Sequence, residues 1–332
     1  MIRFKLINVR SVEDASQFIK NRPAGEAVLM AGGTDLLVLR RNGLIQPQFV
    51  VHLNSNAACC GCHKTEEGGM SIGAFVTLDD LARHPLVRKN YPMLAQAAGA
   101  VASPQIRHKA TLGGNLCLNT RCWYFNKSAF WRMEYPACRK AFGGDTCYVV
   151  PKSRRGCFAL QSGDTVGPLV ALDAKLRLIT DKGERMVDIS DFYLDDGIHN
   201  LDLGHGEILS AVVLPPPRAK GVFIKFRPQN NIDFATFTLS MMPSREDAGS
   251  RIVAGSISTR PLRAKKAEEM LNRGQKDAAA VAMQAAKELR IVSFVRGGVE
   301  FKRQVVEAVL TKAINQHGLN LKQGRGGIKY GR

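Results

Sequence analysis

The pattern of apolar and polar positions divides the chain into short strands alternating with amphipathic helices. Residues 26–30 (EAVLM) form an apolar run, the turn residues Ala31-Gly32-Gly33-Thr34-Asp35 follow, and helical spacing begins over 36–41. Residues 49–53 (FVVHL) read as another strand, so 1–55 is expected to be an α/β unit. In a second unit, 56–217, the run 69–74 (GMSIGA) is strand-like. Thr77 is placed there to cap a helix through Leu78, Leu81 and Ala82, 91–102 has helical spacing, and 169–179 returns to strand character. Pro215-Pro216-Pro217 marks a linker. Beyond it, 218–320 opens with strand-like runs (GVFIKFR, IDFATFTLSM, RIVAGSI) and continues with helices near 262–273, 276–290 and 301–316. That order predicts an α+β domain, and the basic, glycine-rich residues 321–332 an extended tail. The expected fold class is therefore α+β: two N-terminal α/β subdomains followed by a C-terminal α+β domain.

Composition adds little to this picture except through charge. Apolar residues make up 45% and charged residues 23% of the 332, an ordinary globular balance. No uncharged stretch reaches the roughly 18–20 residues of a membrane span. The first residues are charged throughout and lack a leader's apolar core, so cytoplasmic residence is the default expectation. A formal charge of +18 suits an acidic protein partner or nucleic acid. Basic residues are spread along the chain and no nucleic-acid-binding motif is present, which favours the protein partner.

Two glycine turns carry candidate chemistry. A diphosphate needs main-chain N–H groups that converge, and glycine lets the backbone approach without a Cβ in the way. Gly32 and Gly33 sit after an apolar strand and before a helix, where such a cradle belongs. Neither this turn nor Thr111-Leu112-Gly113-Gly114-Asn115 has the G-x-G-x-x-G or nucleoside-triphosphate spacing. Each alone reads equally as a tight turn; together, on separate α/β units, they suggest a nucleotide held between two lobes.

Cysteines are the other unusual feature. Cys122, Cys138, Cys147 and Cys157 are spaced C-x15-C-x8-C-x9-C within 120–161. Structural zinc prefers closely paired cysteines, and a reducing compartment disfavours disulfides; a four-thiolate iron–sulfur cluster tolerates wide spacing. Zinc, a cluster and unbridged thiols all remain open on spacing alone. Residues 122–158 hold nine of the 23 aromatics and seven Lys/Arg against Glu134 and Asp145, a composition that would wall a cluster from water and offset its charge. The same composition fits a loop that docks on another subunit. Cys59, Cys60 and Cys62 have no evident fourth ligand and read as ordinary thiols.

Residues 30–36 (MAGGTDL) and 111–115 (TLGGN) resemble the two FAD-binding segments of the flavoprotein subunits of the xanthine dehydrogenase and carbon monoxide dehydrogenase family. Ser71-Ile72-Gly73-Ala74, Gln105-Ile106-Arg107, Gly206-Glu207-Ile208-Leu209, Phe223-Ile224-Lys225-Phe226, Ile232-Asp233-Phe234-Ala235 and Arg260-Pro261-Leu262-Arg263 keep the family order. The resemblance implies an FAD-binding domain of the PCMH type followed by the C-terminal domain of carbon monoxide dehydrogenase flavoproteins. It implies that Leu29, Met30, Ala31, Gly32, Gly33, Thr34, Asp35 and Leu36 cradle the diphosphate. By the same resemblance Ala74, Ala102, Thr111, Gly114, Asn115 and Cys117 line the cofactor, Asp164 holds the sugar or adenine side, Leu209 packs on the adenine and Lys225 reaches the flavin. Lysine in a half-buried strand commonly only snorkels to water, and Asp164 in an SGDT run also reads as a helix cap.

In that family the second glycine turn normally runs into the Ser-Asp region through a short loop. The cysteine-bearing segment here is similar to the insert of the 4-hydroxybenzoyl-CoA reductase β-subunit branch, which implies a [4Fe–4S] cluster on Cys122, Cys138, Cys147 and Cys157. It further implies an electron-transfer subunit without substrate chemistry of its own, loaded by an acidic ferredoxin. Its implied partners are a [2Fe–2S] small subunit and a molybdopterin-binding large subunit, in a dimer of heterotrimers. A flavoprotein of an aldehyde, purine or N-heterocycle hydroxylase is the alternative within the family, and a metal-stapled nucleic-acid-binding module the alternative outside it.

Overall fold

The computed structural model describes residues 3–53, 59–141, 143–153, 156–229, 232–244, 249–293 and 298–318; the expected tail, 321–332, lies outside them. The first sheet has strands β1 (Lys5–Val9), β2 (Ala27–Met30) and β3 (Phe49–Leu53) in the order β1-β3-β2, all parallel. Parallel neighbours need crossovers, and the helices Val12–Lys20 and Leu36–Arg41 supply them. The first of these starts at Ser11, whose hydroxyl accepts from Asp14 N at 3.0 Å, a cap worth about 1 kcal/mol. Its Val12, Ala15, Ser16 and Ile19 recur at helical spacing and form its buried face.

The second sheet is antiparallel. It comprises β4 (Cys62–Lys64), β5 (Met70–Gly73), β6 (Lys175–Thr180), β7 (Gly183–Asp188) and β8 (Ile208–Leu214), in the order β4-β5-β8-β6-β7. The helix Pro92–Gly99 adds Met93, Leu94, Ala97 and Ala98 to a core with Ile72, Leu176, Leu178 and Val212. The capped helix Leu78–Arg83 forms as its spacing predicts, with Thr77 Oγ1 accepting from Asp80 N at 3.1 Å. Residues 169–171 do not form a strand; they end the helix Val166–Ala171, and β6 begins only at Lys175. A fully buried apolar run has no periodicity to separate the two states, and Pro168 is tolerated within the first helical turn.

The third sheet, β9 (Val222–Phe226), β10 (Phe237–Met242), β11 (Arg251–Gly255) and β12 (Leu262–Arg263), is antiparallel in the order β12-β11-β10-β9. Helix character expected from 262 thus starts only at Lys265. Phe237, Leu239 and Met241 face the helices Lys265–Asn272, Ala278–Glu288 and Val299–Ala313. The alternate residues are buried too, because the helix Val166–Ala171 covers that face. A Cβ on Gly167 would stand 2.7 Å from Ser240 Oγ, so glycine permits this approach. The C-terminal sheet is thereby fixed against the turn that carries Asp164. Among the described residues no helix is long and apolar enough to cross a membrane.

Candidate functional site

Folding brings the two glycine turns into contact. A Cβ on Gly32 would lie 1.7 Å from the carbonyl oxygen of Lys109, two residues before Thr111. Gly33 adopts φ +69, a left-handed conformation that glycine takes without strain. The turns nevertheless differ in what their backbone can offer. In the second, Leu112 N donates to Val76 O, Gly113 N to Ala74 O and Gly114 N to the Thr111 hydroxyl. Its glycine at 113 answers a packing need, since a Cβ there would meet the Ala74 Cβ at 2.8 Å. In the first, among the described residues, the N–H groups of Gly32, Gly33 and Thr34 have no acceptor. Unpaired amides around a glycine turn fit an anionic group such as a diphosphate.

Asn115 ties the second turn to the next segment: its side-chain oxygen accepts from Thr165 N at 3.1 Å and from the Thr165 hydroxyl at 2.7 Å. Asp164, in between, is not a helix cap. It accepts a 2.6 Å hydrogen bond from Lys225 Nζ, which also donates to Ala100 O at 3.1 Å. The two side chains are 5% and 8% exposed, so Lys225 does not snorkel to water. Burial pushes the Asp164 carboxyl upward, while Lys225 and then Arg227 hold it down. Ala102 takes a left-handed φ of +40, and Arg107 donates to the carbonyls of Val101 and Ala102 at 2.8 and 3.4 Å. Burial pushes the partly exposed Cys117 thiol up to about 12. Leu209 is buried in the second sheet's core, in the same cluster as Leu112 of the second turn, and its expected adenine contact rests on the resemblance.

The segment between the second turn and Asp164 folds over this region. Arg121 exchanges both backbone hydrogen bonds with Leu160, at 2.8 and 2.7 Å, closing the base of the insert. Its guanidinium pairs with Asp35 and stands 5.1 Å from the Phe234 ring centroid. A cleft of about 170 Å³ opens here between Arg121, Trp123, Ser162, Phe234 and Lys302. Arg121 Nε and Ser162 Oγ are buried without a hydrogen-bond partner, as expected where a polar ligand belongs. The free amides, the close glycines and these unsatisfied atoms fit a nucleotide cofactor. The sequence pattern gave no sign of Arg121 beyond its place beside Cys122.

All four cysteines of the insert line one small cavity of about 20 Å³, with Tyr124, Phe125, Tyr148 and Phe158. Cys122 N donates to Asn126 Oδ1 at 2.8 Å, and Cys157 N to Asp196 Oδ1 at 2.8 Å, which fixes the backbone at the two outer cysteines. Cys138 is bridged to Thr146 beside Cys147. Burial raises the Cys122 thiol, but backbone amides of Phe125 and Tyr124 favour its thiolate. Burial likewise pushes Cys157 up to about 11, against the Ala159 amide and Lys140, with Ala159 N 3.4 Å from its sulfur. Lys140 is itself lowered to about 8 by burial. Its ammonium donates to Asn119 Oδ1 at 2.6 Å and Gly197 O at 2.8 Å, and packs 5.0 Å from the Phe125 ring centroid.

Among the described residues no three His, Cys, Asp or Glu side chains are close enough to share one metal ion. Four sulfurs about 2.3 Å from a single zinc would crowd together. A four-iron cluster puts its own iron and sulfide between the thiolates and needs them farther apart than zinc does. The N–H donors and the aromatic wall suit its chemistry, while the cavity as it stands, about 20 Å³, has room for about one water and would have to widen to admit it. Cys59, Cys60 and Cys62 stand elsewhere: Cys59 is buried against the first sheet, and Cys62, on β4, pairs with Ile72 of β5.

A family model described as the FAD binding domain in molybdopterin dehydrogenase matches residues 2–217. The aldehyde oxidoreductase FAD-binding subunit PaoB of Escherichia coli (strain K12) is 32% identical over 259 residues, covering 75% of this chain and 80% of that protein. The nicotinate dehydrogenase FAD-subunit of Eubacterium barkeri is 25% identical over 275 residues, 81% of this chain and 79% of that one. Among solved structures, a chain of quinoline 2-oxidoreductase from Pseudomonas putida 86 superposes with a TM-score of 0.74 at 21% identity, covering 95% of this chain and 96% of its own. A chain of carbon monoxide dehydrogenase from Hydrogenophaga pseudoflava gives 0.74 at 22%, covering 95% and 98%. At those identities the structural likeness establishes the fold.

Proposed function

This chain belongs to the family of FAD-binding domains in molybdopterin dehydrogenases, and from that membership we propose that it is the FAD and [4Fe–4S] electron-transfer subunit of a molybdenum enzyme complex. The observation that carries the second cofactor is the convergence of Cys122, Cys138, Cys147 and Cys157 on one cavity. When bound, flavin and cluster supply one- and two-electron exchange, which would connect an acidic ferredoxin with a [2Fe–2S] small subunit and a molybdopterin-binding large subunit, in a dimer of heterotrimers.

The chain's own residues hold and insulate. The free amides of Gly32 to Thr34 take the diphosphate, Gly32 lets the first turn approach the second at Lys109, and Asn115 ties the second turn to Thr165. Lys225 and Asp164 pin the third sheet over the cleft, so that the cofactor is clasped between lobes. Tyr124, Phe125, Tyr148 and Phe158 keep water from the four sulfurs. The amides near Cys122 and Cys157 and the Lys140 charge offset part of the burial that favours the protonated thiols, and bound iron would supply the rest.

Substrate chemistry belongs to the large subunit. The insert supports a 4-hydroxybenzoyl-CoA reductase-like complex, in which electrons flow inward and an aromatic CoA thioester loses its 4-hydroxyl. Aldehyde oxidation is the second reading, favoured by the 32% identical aldehyde oxidoreductase subunit. The test is anaerobic purification of the complex followed by flavin, iron and sulfide analysis of the separated chain. About four irons and one FAD are expected; flavin without iron sinks the cluster. Dehydroxylation of 4-hydroxybenzoyl-CoA driven by reduced ferredoxin, against dye reduction driven by an aldehyde, then decides between the substrate classes.

A further inference from the structure

The first glycine turn contains an electrostatic conflict. Asp35 closes the turn whose amides are free for a diphosphate, and a carboxylate there repels the anion that the backbone would bind. The Asp35 carboxyl is pushed up by burial and held down chiefly by Arg121, and to a smaller extent by Lys140. Both Arg121 and Lys140 lie in the cysteine insert, and Arg121 is held in place by its backbone exchange with Leu160 and by the Phe234 ring. One guanidinium nitrogen, Nε, is buried and unpaired at the cleft. The position is thus occupied by a fixed cation that neutralises the one anionic side chain of the turn and keeps a donor in reserve.

We propose that Arg121 is a cofactor-binding residue: it is the counter-charge that turns the Gly32–Asp35 turn into a site for the FAD diphosphate. The inference rests on the FAD reading of that turn. It makes the cysteine insert part of the flavin site as well as the seat of the sulfur ligands. It also explains why an aspartate is tolerated at a diphosphate cradle: here the charge is cancelled from 86 residues away. Arginine suits the role because its planar fork can hold a carboxylate on one edge and still present a further N–H elsewhere.

The test compares wild type, Arg121→Gln, Asp35→Asn and the double variant in the intact complex, stripped of flavin and titrated with FAD and with ADP. Binding is followed by flavin fluorescence, with ADP as competitor, and iron is measured on the same samples. Arg121→Gln should weaken both FAD and ADP by about tenfold or more, the scale of a lost charge-assisted contact, with iron content unchanged. Adding Asp35→Asn should restore both to within about threefold of wild type, because the repulsive carboxylate is gone. Undiminished FAD binding in Arg121→Gln, or no rescue in the double variant, overturns the proposal. A loss of FAD affinity without a loss of ADP affinity overturns the diphosphate assignment. Should Arg121→Gln fail to fold, Asp35→Asn alone still decides, since it must bind FAD at least as well as wild type. A wild-type protein that takes up no FAD would defeat the FAD reading itself, a separate result.

Discussion

Lys225 on β9 and Asp164 after the second glycine turn form a 2.6 Å ion pair that joins the C-terminal sheet to the FAD-binding unit, with both groups almost fully buried. Removing one partner of such a pair leaves the other charged and unsolvated, which costs about 3–5 kcal/mol. Lys225→Met should therefore lower stability by that order in urea unfolding, and Lys225→Met/Asp164→Asn should recover most of it. The pH dependence has a definite sign. Burial already raises the Asp164 carboxyl, and loss of Lys225 raises it further. A raised acid is stabilised in its protonated form, so the deficit of Lys225→Met should shrink as pH falls from 7 toward 5. A deficit that grows on acidification would show that the pair does not act this way.

The contrast between adjacent glycines gives a second prediction. Gly32→Ala drives a Cβ to 1.7 Å from the Lys109 carbonyl oxygen, which is backbone and cannot rotate away. The two glycine turns must separate, and the variant should lose FAD. Gly33→Ala meets only flexible side chains, Met30 and Leu37, at 3.3 Å, and suffers mainly from its φ of +69. That variant should keep FAD and lose about 1–2 kcal/mol of stability. Flavin content per chain distinguishes the two; equal retention would refute the close-approach role of Gly32.

Both glycine turns and the cysteine spacing were legible in the sequence because each is a local signal. EAVLM before Ala31-Gly32-Gly33 reads directly as strand then turn, and β2 and the helix Leu36–Arg41 follow it. Residues 169–171 are helical where strand is expected because a uniformly apolar run gives no phase, and only the sheet packed on it selects the helix. Arg121, Lys140 and the Arg107 support of Ala102 were invisible for a different reason. Arg121 and Lys140 take their meaning from Asp35 and Gly197, partners that only the tertiary fold supplies, and Arg107 from the left-handed φ of Ala102, which no residue type signals at an alanine. The sequence likewise showed two similar glycine turns, yet their hydrogen bonding differs because Ala74 and Val76 happen to take the amides of the second.

Lys302, on the last long helix, lines the cleft and donates to Val292 O at 3.1 Å from a fully buried position. Burial lowers it to about 8. A base lowered in the folded state binds fewer protons there than in the unfolded chain, so its unfavourable contribution fades as pH rises from about 8 toward its ordinary value. The stability of wild type minus that of Lys302→Met should accordingly increase between pH 7.5 and pH 9.5 in urea unfolding. Using the difference cancels the other lysines and thiols that titrate over the same range. A flat difference would show that Lys302 is charged equally in both states.

Cys138 separates the sulfur site from the flavin site. It is a partly exposed wall of the cavity, whereas Cys157 is also packed against Gly197, where a Cβ would meet its sulfur at 2.8 Å. Serine at 138 preserves size and removes the thiolate, so iron should be lost while FAD remains near one per chain. The base of the insert should hold in this variant, because the Arg121–Leu160 backbone pair and the Lys140 contacts to Asn119 and Gly197 do not involve Cys138. Loss of both cofactors together would mean that the cluster organises the insert as a whole, including the Arg121 contact to Asp35. Iron retained at about four per chain would remove Cys138 from the ligand set.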